Sequence, residues 1–108
     1  FDKVEQLGQG WTAEEALAIS LYCALSANNF EDGVVMAVNH GGDSDSTGSI
    51  TGQILGALYG LASIPDKWLD QLELRDTIDV ISRDLYSIRI ESVPSTPVAS
   101  LFHRYPPN

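Results

Sequence analysis

Residues 40 to 47 read His-Gly-Gly-Asp-Ser-Asp-Ser-Thr. Two carboxylates, Asp43 and Asp45, stand one residue apart behind a glycine pair, and the hydroxyls of Ser46 and Thr47 follow directly. Carboxylate and hydroxyl oxygens are hard donors of the kind that Mg²⁺, Mn²⁺ and Ca²⁺ prefer. Packed together without a cation, two carboxylates raise each other's pKa. Gly41 and Gly42 relax the backbone so that both side chains can converge. The competing reading is an ordinary helix N-cap, for which Asp, Ser and Thr are favoured. A cap accounts for one or two of these residues and leaves the others without a reason. On the residues alone both readings stay open. Two carboxylates are too few for a tight site, so further ligands must come from elsewhere, and the chain offers no second acidic cluster of this quality.

Two familiar loop motifs do not fit. An EF-hand beginning at Asp43 needs Glu at its twelfth position, where Ile54 stands, and Asp or Asn at its fifth, where Thr47 stands. A phosphate-binding P-loop needs Gly-Lys-Ser/Thr, but Gly48 is followed by Ser49 and Ile50. His40 reads as a solvated histidine at a helix end, with contact to a bound ligand as the alternative. Gly41 and Gly42 have backbone N–H groups that a phosphate could accept, although a turn is reason enough for both. Trp11 and Trp68 border helices and read as packed, Tyr22 and Tyr59 read as core, and His103 reads as surface.

The elements that must position this loop are helical. From Ala16 to Ala27 almost every residue is apolar, the pattern of a helix buried all round, and Thr12 with Glu15 has the form of a capping box. A shorter helix is expected over Glu31 to Val38, with Gly33 as its weak point. A third runs from about Thr47 to Ala62. Its glycines, Gly48, Gly52, Gly56 and Gly60, fall close to one face. Each interior glycine costs about 0.5–1 kcal/mol relative to Ala, so the ladder predicts close packing against another helix. "SIPDKWLDQLEL" reads as a turn and short helix. The last helix, from Arg75, carries Ile78, Ile81, Leu85 and Ile88 as an amphipathic stripe, with Asp79 and Arg83 spaced for an ion pair. No segment alternates as a strand does, so the chain is expected to be all-α. Two helices that need burial all round would lack neighbours in a chain of 108 residues. That points to more chain around them or to an oligomer.

Composition narrows the function classes. The net charge is -9, from 15 acidic against 6 basic residues, which leaves no basic stripe for a nucleic-acid backbone and disfavours an anionic membrane. The apolar run from Ile50 to Ile64 is too short for a membrane span. Cys23 has no intramolecular disulfide partner and reads as a buried, inert thiol. With no signal peptide at the start, the expected compartment is the cytoplasm. The chain opens without Met, which points to a cut end.

The stretch "NHGGDSDSTGSITGQILGALYG" resembles the ADP-ribosylglycohydrolase family, enzymes that remove ADP-ribose from modified proteins. The likeness rests on a Gly-Gly-Asp-x-Asp-Ser/Thr loop running into a Gly- and Ala-rich helix. "GWTAEEALAISLYCAL" upstream and "IPDKWLDQLELRDTIDVISRDL" downstream agree with it, so it spans nearly all of residues 8 to 90. The resemblance implies a helical bundle segment of that family's orthogonal all-α fold. It also implies a binuclear Mg²⁺ or Mn²⁺ site with Asp43, Asp45 and Ser46 as the ligands from this end, and ADP-ribose or an ADP-ribosylated substrate as partner. Such a pair, about 3.5–4 Å apart, orients a ribose and activates a water for attack at its anomeric carbon.

Family members are considerably longer and bring the remaining metal-binding acids from motifs near the N-terminus, one of them of Thr-Asp-Asp type. Neither "FEDG" at 30–33 nor "LRDT" at 74–77 is that motif. Residues 1–108 are therefore expected to be the C-terminal part of one larger domain, with 92–108 as an irregular Pro-rich tail. The catalytic residues are expected upstream, and the chain alone is expected to be inactive without that N-terminal portion or an oligomeric partner. Two other classes compete with this hydrolase reading: a non-catalytic binding or structural protein of the same fold, and a helical interaction module with a cation-stabilised acidic loop.

Overall fold

The structure is a computed structural model that describes residues 2–90 and 103–106. Among these residues every regular element is a helix: α1 (Asp2–Glu5), α2 (Ala13–Ser26), α3 (Phe30–Val38), α4 (Ser44–Tyr59), a 3₁₀ turn (Leu61–Ser63), α5 (Asp66–Leu69) and α6 (Arg75–Ile90). The all-α expectation holds. No described helix is long and apolar enough to cross a membrane. The chain divides after Gln71 into two compact units. The tail expected to be irregular, 92–108, lies outside the described residues apart from 103–106.

In the first unit, α2, α3 and α4 pack on one another. Thr12 caps α2 by accepting from the Glu15 N–H at 3.4 Å, and Asn29 caps α3 by accepting from Asp32 N–H at 2.8 Å. One apolar cluster joins Val4 of α1 to Ile19, Cys23 and Ala37, with Tyr22 and Met36 against it. The other holds Ala24, Phe30 and Leu55, flanked by Val34, Ile54, Ile64 and Trp68. Phe30 and Trp68 meet edge to face, with centroids 6.3 Å apart. Lys67 pairs with Glu31, which links α5 to α3. Burial pushes the Cys23 thiol pKa up, in keeping with an inert core residue.

The glycines of α4 set its register on α3. A Cβ at Gly48 would lie 2.5 Å from a Val38 methyl, one at Gly52 would lie 3.8 Å from Val34, and one at Gly56 would lie 3.9 Å from Phe30. Each step of four forward in α4 meets a step of four backward in α3, so the helices run antiparallel. Only Gly48 is needed for close approach. Gly52 and Gly56 have room for a methyl, and Gly60 serves instead to end the helix at φ 77. Between these helices the tightest approach is at the residue expected to weaken α3: a Cβ on Gly33 would lie 2.4 Å from Leu55 and 3.0 Å from Ala27.

The burial of α2 differs from expectation. Its packed face is made of small residues, Ala16, Ser20, Cys23 and Ala24, around Ile19. The large side chains Leu17, Leu21 and Leu25 are 50%, 43% and 84% exposed. Small residues let α4 approach closely, and the period of the helix then turns the leucines to the opposite side. Trp11 and Tyr59 are also exposed rather than packed.

Polar groups are buried in line with this small-residue seam. Ser20 Oγ donates to the carbonyls of Ala16 at 2.7 Å and Thr47 at 3.2 Å, and Thr51 Oγ1 donates to the Thr47 carbonyl at 2.7 Å. Thr47 Oγ1 in turn donates to the Ala37 carbonyl at 2.7 Å. All three hydroxyl residues are fully buried, and each is satisfied by backbone.

The second unit contains α6. Asp79 and Arg83 form the expected i,i+4 pair at 2.8 Å. The Arg83 partner holds the Asp79 carboxyl below its ordinary pKa. Being exposed, the pair adds little. Arg104 and Tyr105 both reach Asp84, at 2.6 and 3.2 Å. The Ile78, Ile81, Leu85 and Ile88 stripe is helical as read, and these side chains are exposed.

The glycine geometry yields opposite mutational signs on one helix pair. Gly52→Ala and Gly56→Ala should each stabilise by about 0.5–1 kcal/mol through helix propensity. Gly33→Ala should destabilise by about 1–3 kcal/mol through overpacking against Leu55. Urea midpoints of the three variants check this, and a uniform sign across them would refute the register.

Candidate functional site

The acidic loop begins α4 three residues earlier than expected. Asp43 occupies the N-cap position, and Asp45 and Ser46 lie in the first helical turn. A capping Asp would accept a backbone N–H from that turn, yet the Asp43 side chain makes no such bond. The neighbouring Asp43 carboxyl, with the backbone N–H groups of Asp45 and Ser46, holds the Asp45 carboxyl below its ordinary pKa. Asp43 thus holds the cap position without serving it as a side-chain cap.

The loop is held by two backbone contacts and one histidine. Asp43 N–H donates to the Gln9 carbonyl at 2.7 Å. Gly42 lies so close under Gln9 that a Cβ there would sit 1.8 Å from the same carbonyl oxygen. Gly41 has nothing within 4 Å of its Cβ position. The glycine pair is therefore two different requirements: close approach at 42, open space at 41. Gly42 N–H donates to His40 Nδ1 at 3.2 Å, and His40 Nε2 lies 2.8 Å from Thr47 Oγ1. With Nδ1 accepting, the ring proton is on Nε2 and is donated to Thr47. His40 is thus a half-buried brace of the loop rather than a solvated residue. The Gly42 amide is engaged by it, so Gly41 has the freer surroundings of the two for contact with a ligand.

Gly10, fully covered at φ 81, would place a Cβ 3.1 Å from a Thr47 methyl and 3.6 Å from Asp43 Cβ. Glu15 Oε2 accepts from the Gln9 and Gly10 N–H groups at 3.3 and 3.1 Å. The capping-box reading of Glu15 missed this longer reach. The sequence signal for it is "LGQG", two glycines around one residue directly before a helix. Thr47, expected at a helix start, is the buried joint between α3 and α4. Trp11, 68% exposed, is tied to Gln9 through its indole N–H at 3.1 Å.

As a donor set the loop has two carboxylates and the half-buried Ser46, all oxygen, suited to a hard divalent cation. Among the described residues no third His, Cys, Asp or Glu joins them into a complete metal cluster. The donors fit such an ion in kind and fall short in number.

A family model for ADP-ribosylglycohydrolases matches residues 2–93. The chain belongs to the ADP-ribosylglycohydrolase family. It is 38% identical over 72 residues to the ADP-ribosylarginine hydrolase Tri1 of Serratia proteamaculans, a match covering 67% of this chain and 20% of that protein. An uncharacterized protein of Archaeoglobus fulgidus is 34% identical over 93 residues, 86% of this chain and 30% of the relative. The ADP-ribosylhydrolase ARH3 of Mus musculus is 28% identical over 100 residues, 82% of this chain and 27% of the relative. The chain thus spans only 20% to 30% of the length of these curated relatives. No solved structure matches it with significance.

The two glycines give a contrast within one dipeptide. Gly42→Ala should force the loop off Gln9, break the Asp43 amide bond and lower stability by about 2–3 kcal/mol. Gly41→Ala should stay within about 0.5 kcal/mol of the unsubstituted chain. Thermal melts of both decide, and equal melting would contradict the backbone-on-backbone contact.

Proposed function

We propose that this chain carries one half of the divalent-metal site of an ADP-ribosyl hydrolase, with Asp43, Asp45 and Ser46 as its ligands. The observation that carries the reading is that Asp43 holds the cap position of α4 without capping, with Asp45 and Ser46 beside it in the first helical turn. The ion is Mg²⁺ or Mn²⁺, in a binuclear site whose other ligands and whose catalytic residue lie outside these 108 residues. When bound, such ions orient a ribose and supply an activated water for hydrolysis of an N- or O-glycosidic bond. The residues of this chain hold and orient. Asp43 and Asp45 offer charge, Ser46 offers a neutral oxygen, and His40 and Thr47 keep the loop from relaxing when the acids repel. Gly41, in open surroundings, is placed for a ligand's close approach.

The relatives' names supply the substrate class. Tri1 of Serratia proteamaculans is named an ADP-ribosylarginine hydrolase, and ARH3 of Mus musculus an ADP-ribosylhydrolase. ADP-ribose attached to an acceptor is the shared chemistry. The exposed Leu17, Leu21 and Leu25 support a chain that is part of a larger domain, because an aliphatic stripe of that kind is ordinarily covered. The N-terminal portion of that domain, or an oligomeric partner, is the cover we assign to it. The acidic balance of the chain argues against a nucleic-acid backbone as a ligand.

Calorimetric titration of the chain tests this reading. Mn²⁺ should bind weakly, Asp45→Ala should abolish the heat, and ADP-ribose should leave it unchanged, because half a site cannot couple the two. Tight Mn²⁺ binding strengthened by ADP-ribose would contradict the half-site. A preference for Ca²⁺ without any nucleotide effect would favour a cation-stabilised interaction module instead.

A further inference from the structure

The Asp43 backbone is not fixed by its own helix alone. Its N–H is spent on Gln9, a residue of the loop before α2, and that loop has no regular structure of its own. It is held by the side chain of Glu15, whose Oε2 accepts two consecutive amides, Gln9 N–H at 3.3 Å and Gly10 N–H at 3.1 Å. Three glycines make this possible. Gly8, at φ 117, lies directly under the Glu15 carboxyl, where a Cβ would approach Cδ to 2.6 Å. Gly10, at φ 81, turns the chain back and packs on Asp43 and Thr47, and Gly42 lets the Gln9 carbonyl sit on the acidic loop. The connection runs from the Glu15 carboxylate through the Gln9 and Gly10 amides to the Gln9 carbonyl and the Asp43 N–H. A helix N3 glutamate that served only its own helix end would need neither the glycines nor the loop.

We propose that Glu15 is a positioning residue for the Asp43–Asp45 pair. Acting through the Gln9–Gly10 backbone, it sets where the Asp43 main chain is held and so where its carboxylate is presented to a divalent cation. The proposal rests on the metal reading above and extends it to a residue that touches neither acid. Charge-assisted bonds to two amides make a stiff link, and groups one step removed from a metal ligand commonly change metal affinity by about 10–100-fold when removed.

Amide hydrogen exchange and Mn²⁺ broadening, both read by NMR on the full chain, test it in Glu15→Ala and Glu15→Gln. In Glu15→Ala the Asp43 amide should exchange about tenfold faster while the Leu55 amide in the core of α4 is unchanged. Glu15→Gln keeps a carbonyl acceptor at the same reach and should recover most of that protection. Mn²⁺ should broaden the Asp43 and Asp45 resonances of the unsubstituted chain, and Glu15→Ala should need about tenfold more Mn²⁺ for the same effect. Unchanged Asp43 exchange overturns the proposal, and so does an equal Mn²⁺ requirement in all three chains. If Glu15→Ala also loses Leu55 protection, Glu15→Gln decides, since its neutral acceptor must still speed Asp43 exchange measurably or the proposal fails. Absence of Mn²⁺ broadening in the unsubstituted chain would sink the metal reading and this proposal together, whereas equal broadening in all three sinks this one alone.

Discussion

The bond from Asp43 N–H to the Gln9 carbonyl, 2.7 Å long, is the constraint on which the acidic loop depends. It joins two irregular segments backbone to backbone, and irregular segments have few other means of fixing one another. The approach here is so close that a Cβ on residue 42 would sit 1.8 Å from the Gln9 carbonyl oxygen, which only glycine permits. Once the loop is pinned there, α4 can begin at Ser44, and its first turn carries Asp45 and Ser46 at set positions beside Asp43. Thr47 closes the arrangement from below. Its hydroxyl is donated to α3 and receives the His40 ring proton, so the loop is tied to the core on both sides. The backbone positions from which Asp43 and Asp45 project are thereby fixed by the core.

That rigidity is drawn from small residues rather than from large apolar ones. Across α2 and α4 polar contacts join Ser20 to Thr47 and Thr51, and the other buried residues of the two helices are mostly small, Ala16, Cys23, Ala24 and Gly48 among them. Each contributes little buried apolar area, and the hydroxyls recover part of the difference by satisfying backbone carbonyls across the seam. The geometry has a cost on the other side of α2, where Leu17, Leu21 and Leu25 face away from α4. Within the first unit, precision near the acidic loop and exposure of a leucine stripe are two sides of one helix. The matched stretches amount to 20% to 30% of the curated relatives' length.

Much of this was legible in the sequence. The helix type, the order of the main helices, the Asp79–Arg83 pair and the inert Cys23 follow from local periodicity and spacing, which do not need tertiary context. The Asp43, Asp45 and Ser46 cluster stood out because too many oxygen donors were gathered for one cap. Other features resisted reading for physical reasons. Gly33 and Gly52 look alike along the chain, yet one faces Leu55 and the other has room for a methyl, a distinction that only the neighbouring helix makes. Glu15 fits a capping box equally well whether its carboxylate turns to Thr12 or reaches to Gln9. His40 is called solvated or braced by where Thr47 lies, seven residues on. The apolar faces of α2 were visible, but which face would be covered was decided by the smaller residues.

The most direct test of the central claim, that this loop presents two carboxylates and a hydroxyl as one side of a metal site, is anomalous diffraction from crystals of the chain soaked in Mn²⁺. The account predicts a manganese peak about 2 Å from carboxylate oxygens of both Asp43 and Asp45 and from Ser46 Oγ, with the Gln9–Asp43 bond intact. An ordered loop in that conformation with no peak, or manganese bound only elsewhere on the acidic surface, would contradict it.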